Sequence, residues 1–422
     1  MSKAWFAKAM IRIAKLEDST SILTRRRVRL EEAEVVVRPI LEAVRNEGDA
    51  AVIRYAREFD GLGDRPLRIP EEELAEARSG MDVCVLRAME TARDNIRTFA
   101  LAQLPSEYLR EFSPGVKLGQ IVRPLAAAGC YIPSGRYPLP STLLMTAVPA
   151  QAAGVARIAV TSPRPSKEIL GCAHLLGLTE VFRVGGAHAI GALAFGTESI
   201  PKVDRIAGPG NAYVTAAKKL LAGEVGIDFL AGPTEILILA PDGNPRTIAA
   251  DMLAQAEHDV DASAILVTLS RRLAEEVSQE IERQLPSLPT GATARAAIDR
   301  NSAILIAPDN GAAVEFANAF APEHLSLLDP SLLAQIQHAG TVFLGEHSPE
   351  SAGDYAAGPS HVLPTSGAAR LRGGLSAVDF LKVIAVQQLS LAGLERLMPA
   401  ITALARAEGL EAHARSVEIR FA

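Results

Sequence analysis

Residues 157–224 read RIAVTSPRPSKEILGCAHLLGLTEVFRVGGAHAIGALAFGTESIPKVDRIAGPGNAYVTAAKKLLAGE. Short β-branched runs, RIAVTS (157–162), EVFRV (180–184) and DRIAG (204–208), alternate with helically spaced segments at 166–178, 188–195 and 212–224. Apolar strands that run without polar alternation between helices belong to a parallel sheet covered on both faces. The rhythm resumes with EILILA (235–240), the helix PRTIAADMLAQAEH (245–258), AILVTLS (264–270), the amphipathic RRLAEEVSQEIERQL (271–285), SAILIA (302–307) and GTVFLG (340–345). So many units imply more than one sheet, and the fold class is α/β with parallel sheets.

Outward from this core the pattern changes. The first 125 residues are rich in Arg and Glu at helical spacing, as in LEEAEVVVRPILEAVRNEG, and are expected to be mostly helical. After Leu371 the spacing again reads as helical, through AVDFLKVIAVQQLS and, behind Pro399, AITALARAEGLEAHARSVEIR, with Gly409 as a stop between two short helices.

Composition narrows the function. At roughly 150 residues per domain, 422 residues suggest two or three domains. The longest greasy stretch, Leu143 to Val160, is cut by Pro149, Gln151 and Arg157, so no membrane span is expected. Lys8 and Arg12 interrupt the apolar core that a signal peptide would need, so the N-terminus reads as a short mature segment of a cytoplasmic protein. With 43 basic and 49 acidic residues well mixed, there is no basic field for nucleic acid. Cys84, Cys130 and Cys172 are odd in number and widely spaced, which fits neither a disulfide framework nor a zinc ribbon.

Histidine placement is the first sign of chemistry, since His258, His324, His338, His347, His361 and His413 all follow residue 257. Gln255 and His258 stand three apart at a helix end and project from one face. Glu323 and His324 are adjacent in APEHL, where Pro322 favours an extended backbone that presents polar groups at a strand start. Asp354, Tyr355 and His361 fall in ESAGDYAAGPSHVLP, a Gly/Pro/Ser-rich loop of the kind that carries function on a rigid scaffold. Each has a plainer reading: a solvated helix end for QAEH, a surface pair for Glu323–His324, a packed histidine for His413. GPGNAY (208–213) follows a strand and opens a helix, a context in which backbone N–H groups meet an anion. Tyr213 nevertheless stands where a dinucleotide fingerprint wants its third glycine, and the chain has no full GxGxxG and no P-loop. Residue patterns alone stop at a cytoplasmic α/β protein with a possible His/Asp/Gln metal site.

The strings go further. CYIPSGRYPLPSTLLMTAVPAQAAGV, RVGGAHAIGALAFGT, DRIAGPGNAYV, GIDFLAGPTEILILA, QAEH, APEHL, SPESAGDYAAGPSHVLPT and AEGLEAHARSVEIR, in that order, resemble the histidinol dehydrogenase family along nearly the whole chain. The resemblance implies two Rossmann-like domains, one inserted in the other. The main domain would span 25–129 and 236–376, the inserted one 130–235, with helical segments at 1–24 and 377–422. It also implies a zinc-dependent, NAD-linked oxidation of L-histidinol through the aldehyde to L-histidine, the last step of histidine biosynthesis.

Carried over residue by residue, the zinc ligands would be Gln255, His258, Asp354 and His413, a nitrogen/oxygen set compatible with zinc. Glu323 and His324 would be the acid–base pair, His324 accepting protons near its ordinary pKa of about 6.5 and Glu323 activating the water that attacks the aldehyde. Thr234, His361 and Glu408 match substrate-contacting positions, joined there by Gln255, His258, His324, Asp354 and His413. Tyr131, His188 and Asn211 match NAD-contacting positions. A homodimer is implied, with the C-terminal arm bearing Glu408 and His413 completing the partner's site; arm helices this short need another surface to bury their apolar stripes.

The chain departs from the family at His188 (commonly Gln), Ser134 (Gly), Asp259–Val260 (Gly-Pro), Thr234 (Ser) and Ser360 (Asn), none of them a proposed ligand or the Glu323–His324 pair. Two other readings stay open. One is a paralogue oxidising another small primary alcohol, such as a sulfonated propanediol, whose pocket would need an extra Arg or Lys absent from the substrate motifs. The other is a metal- or nucleotide-binding protein without catalysis.

Overall fold

A computed structural model describes residues 10–19, 22, 30–134 and 137–422. Two parallel sheets form its centre. The larger has six strands, with Ile13–Lys15, Ala303–Ile306, Ser263–Thr268, Glu235–Leu239, His324–Leu327 and Thr341–Leu344 side by side. The smaller has five, in the order Glu180–Phe182, Arg157–Thr161, Ala127–Tyr131, Arg205–Ala207 and Gly226–Ile227. Numbered by chain order, the small sheet and the last five strands of the large one both run 3-2-1-4-5, the doubly wound arrangement. The expectation of two parallel α/β units holds.

The large sheet's central strands, Glu235–Leu239 and Ser263–Thr268, are buried on both faces, with separate apolar clusters above and below. The small sheet likewise separates two clusters, and here the division of the chain differs from expectation. The stripe Ala33, Val37, Leu41 and Val44 of helix Glu31–Glu47 packs on one side, with Ile190 and Leu193. Met89, Ala92, Ile96 and Ala100 of helix Val83–Ala102 pack on the other, with Leu143 and Leu144. Residues 67–69 also run beside the edge strand, Ile69 N–H donating to Val181 O (2.8 Å) and Arg183 N–H to Leu67 O (2.8 Å). Residues 31–102 therefore complete the small sheet's layers, not those of the large sheet with which 25–129 was grouped. Helical periodicity shows that a helix buries a face, but not against which sheet.

Three further segments differ. Ile13–Lys15 of the expected N-terminal helical segment is a strand on the edge of the large sheet; residues 1–9, 20–21 and 23–29 of that region lie outside the described ones. Tyr108–Ser113 and Val116–Pro124 form a hairpin turned at Gly115 (φ +74°), and Leu381–Leu389, read as helical, is a strand antiparallel to Val116–Pro124 over all nine residues. Val383, Ile384 and Val386 favour a pleated surface, and the long partner strand prevails over the helical spacing. Finally, helix Leu391–Ala407 starts at the Ser390 cap and runs through Pro399. Gly409 (φ +78°) separates it from helix Glu411–Glu418, and the two pack chiefly on each other.

Candidate active site

The small sheet points its carboxyl edge, and the large sheet its amino edge, at a shared cavity of about 190 Å³. From the small sheet come Thr142, Pro209 and Phe229; from the large one come Thr234, Glu323 and His324, with Asp354 and His361 closing the wall. A second, larger cavity of about 510 Å³ lies beyond His258 and Asp354, against helix Val83–Ala102.

Local backbone devices place the acid–base pair. Helix Asn310–Phe320 ends at Ala321 in the left-handed region (φ 49°), and Pro322 turns the chain into the strand that begins at His324. Gly340 N–H donates to Pro322 O (2.9 Å) and Thr341 N–H to Glu323 O (3.0 Å). A Cβ on Gly340 would stand 2.5 Å from Glu323 O, so only glycine allows this approach. The Glu323 carboxylate accepts from Glu235 N–H (2.9 Å) and lies 2.7 Å from Thr234 Oγ1.

His324 is 3% exposed. Its Nδ1 faces the main-chain oxygen of Glu235 at 3.2 Å and Glu350 Oε1 at 3.3 Å. A carbonyl oxygen only accepts, so Nδ1 carries the proton. Among the described residues Nε2 is buried with no hydrogen-bond partner, and Asp354 Oδ1 stands 3.6 Å from it. This imidazole is not the ordinary one expected from sequence. Burial alone would lower its pKa, but Glu350, Glu323 and Asp354 overcome that and push it up to about 10. Burial raises Glu323 to about 7 and Glu350 to about 8.

Gln255 ends helix Pro245–Ala256 and is fully buried; His258 lies just past the helix end and is half-exposed. One end of the Gln255 amide meets Thr234 Oγ1 at 2.8 Å, and the other meets Glu350, at 2.5 Å from Oε1 and 3.1 Å from Oε2. Carboxylate oxygens repel a carbonyl, so the NH2 faces Glu350 and the amide oxygen lies on the Thr234 side. Helix Glu350–Tyr355 brings up Asp354, packing so closely on Phe343 that a Cβ on Gly353 would meet the ring at 2.5 Å. His258 Nε2 stands 3.7 Å from Asp354 Oδ2. Ligand atoms of His258, Glu350 and Asp354 all lie within 4.8 Å of one another, the geometry of a candidate metal site. His361 donates from Nδ1 to Asp354 O (2.9 Å), which turns Nε2 to the Thr142 hydroxyl (3.3 Å), and burial lowers its pKa.

The sequence and structural likenesses agree with this geometry. The histidinol dehydrogenase family profile matches residues 23–421. The chain belongs to the histidinol dehydrogenase family. Its relatives include the histidinol dehydrogenase of Thermus thermophilus, 50% identical over 92% of this chain and 94% of that one. That of Syntrophotalea carbinolica is 45% identical over 97% and 99%. The crystal structure of histidinol dehydrogenase from Elizabethkingia anophelis superposes with a TM-score of 0.94 at 36% identity, covering 97% of this chain and 98% of that chain. As a histidinol dehydrogenase family member, the chain is an NAD-dependent oxidoreductase of the last step of histidine biosynthesis.

Set against the histidinol dehydrogenase positions, the chain brings Thr234, Gln255, His258, Glu323, His324, Asp354 and His361 together. It does not bring Glu408 or His413: His413 is exposed on the C-terminal arm, and neither lines the cavities. The NAD-matching residues gather at the carboxyl edge of the small sheet. Tyr131 OH accepts from Gly186 N–H (3.2 Å), and the Asn211 side chain caps helix Ala212–Leu221 through Tyr213 and Val214 N–H (3.1 Å each). His188 is buried, with Nε2 2.9 Å from Asp60 Oδ2 and its ring against Tyr55 and Phe59. Its imidazole thus meets protein where the family's amide is matched to nucleotide. Sequence reading missed Glu350; its place four residues before Asp354 on one helix face was the available signal.

Proposed function

We propose that the chain oxidises L-histidinol to L-histidine with one zinc ion and two NAD molecules in turn, as a cytoplasmic homodimer whose active sites are shared between chains. The observation that carries this reading is His324 in the cavity wall, its buried Nε2 without a hydrogen-bond partner among the described residues, beside a carboxyl that can activate water.

The donor set fits the metal. The Gln255 amide oxygen, His258 Nε2 and the Asp354 carboxylate are nitrogen and oxygen ligands of the kind zinc takes; His258 and Asp354 line one cavity with Thr234, on whose side the amide oxygen lies. His413 of a second copy would supply the fourth. When bound, zinc supplies a Lewis-acid anchor for a substrate with amine and imidazole donors, and offsets the carboxylates that raise His324.

The chain's own groups do the rest. His324 Nε2 would take the hydroxyl proton as the alcohol carbon is oxidised, NAD, when bound, supplying the hydride acceptor. Glu323, braced by Thr234 and Glu235 N–H, takes a proton from the water that attacks the aldehyde. The hydrate again carries O–H and C–H on one carbon, so His324 serves the second hydride transfer. One alcohol, one water and two NAD become one carboxylate, two NADH and three protons. Tyr131, Asn211 and the Gly185–Gly186 turn, at the small sheet's carboxyl edge, would hold the nucleotide.

Subunit mixing tests the shared site. Co-expressed His258→Ala and His413→Ala chains leave one intact site per mixed dimer, so NADH formation from histidinol should recover to a fraction of wild type. Activity at background in mixed dimers would reject the exchange of arms, and a wild-type chain inert on histidinol would reject the reading as a whole.

A further inference from the structure

Glu350 is 3% exposed, and no role in the reaction has yet been given to it. Two polar groups converge on its carboxylate: His324 Nδ1 at 3.3 Å from Oε1, and the Gln255 amide at 2.5 Å from Oε1 and 3.1 Å from Oε2. Nδ1 carries its proton, since it also faces the Glu235 carbonyl oxygen, and the amide turns its NH2 this way, so both groups donate to Glu350. Each has a second way round that the cavity would also tolerate. The imidazole could carry its proton on Nε2, towards Asp354 Oδ1 at 3.6 Å. The amide could turn end for end and present NH2 instead of oxygen at Thr234, 2.8 Å away. The first alternative removes the lone pair that takes the substrate's proton, and the second removes a metal ligand.

We propose that Glu350 is a positioning residue for both: it holds His324 with a bare Nε2 and Gln255 with its carbonyl oxygen turned to the metal. Metal ligands and catalytic imidazoles depend on such outer contacts for their orientation. The inference rests on the proposed roles of Gln255 and His324. It differs from direct ligation by Glu350, which its distance from His258 and Asp354 would also permit.

The experiment uses the full-length protein with Glu350→Gln and Glu350→Asp. Glutamine keeps the size but sets an NH2 against the two donors; aspartate keeps the charge. Folding is checked by thermal melting. The readouts are zinc retained against a graded chelator, and turnover on histidinol and on histidinal. Glu350→Gln should weaken zinc retention about 10–100-fold while still reaching one zinc per site in excess metal. It should slow both oxidations by similar factors and leave the KM for NAD unchanged. Glu350→Asp should recover part of both losses. Wild-type zinc retention and turnover in folded Glu350→Gln would overturn the proposal. Failure of folded Glu350→Gln to bind zinc even in excess would overturn it too, in favour of direct ligation. Failure of the underlying reading would show instead in the wild type, as absent zinc or absent histidinol oxidation.

Discussion

The two sheets share a strand order but meet the cavity by opposite ends. The small sheet offers its carboxyl edge, where chain leaves the strands into turns and helix N-termini. That edge is built from backbone. Gly208 (φ +120°) lies so close to Tyr131 that an added Cβ would fall 2.1 Å from its carbonyl oxygen. Both of its main-chain groups are held by a buried ion pair: its N–H donates to Asp228 Oδ2 (2.8 Å), its oxygen accepts from Lys218 Nζ (2.5 Å), and Lys218 and Asp228 meet at 2.7 Å. The large sheet offers its amino edge, contrary to the usual placing of ligands at carboxyl ends. That edge is built from ionisable side chains: Glu323 and His324 at a strand start, Thr234 and Glu235 beside them, Glu350 and Asp354 above. On the proposed reading, ordered turns would bind a cofactor common to many reactions, and the chemistry of this reaction would sit where side chains can be crowded and desolvated.

If the division is right, lesions on the two edges separate. The largest effect should come from His324→Ala, with turnover on histidinol falling about 10²–10⁴-fold while zinc content and the KM for NAD stay near wild type. Equal loss of zinc and turnover would make the ring a ligand and erase the distinction. A smaller, opposite pattern is expected for Gly208→Ala, where strained backbone and the clash with Tyr131 should raise the KM for NAD about tenfold or more, at least ~1.4 kcal/mol. Zinc binding and histidinol affinity should be unchanged; a change confined to histidinol would show that the GPGN turn serves the substrate.

The smallest effect is on stability. In metal-free protein the pKa values of Glu323, Glu350 and His324 are all raised, to about 7, 8 and 10. Each therefore contributes stability that is full below its unfolded pKa and is lost as pH rises through the folded one. Thermal melting of the chelated protein should fall by a few degrees between pH 6 and 9, and less so in Glu350→Gln. A melting point that rises over that window would contradict the account of the large sheet's edge.

The strands of both sheets were legible because apolar runs such as EILILA and RIAVTS have few other places to go. Leu381–Leu389 was not, since its apolar residues fit helical spacing as well as a strand, and only the distant Val116–Pro124 strand resolves the ambiguity. Nor was the layer that helices 31–102 join. In the site, QAEH, APEHL and the loop that carries Asp354 and His361 stood out as patterns, and the family strings supplied their roles. What the sequence could not carry was the field. His324 looks like an ordinary imidazole until burial brings Glu323, Glu350 and Asp354 around it, and His188 looks available until Asp60 takes its Nε2.

The central claim is that one base serves two oxidations while Glu323 serves only the water that joins them. Glu323→Gln should be assayed for NADH formation from histidinol in a single turnover and from supplied histidinal at steady state. The account expects the first hydride transfer to survive within about tenfold and histidinal oxidation to fall about 10²-fold or more. A variant that oxidises histidinal normally but cannot take the first hydride from histidinol would show that the roles of Glu323 and His324 are exchanged.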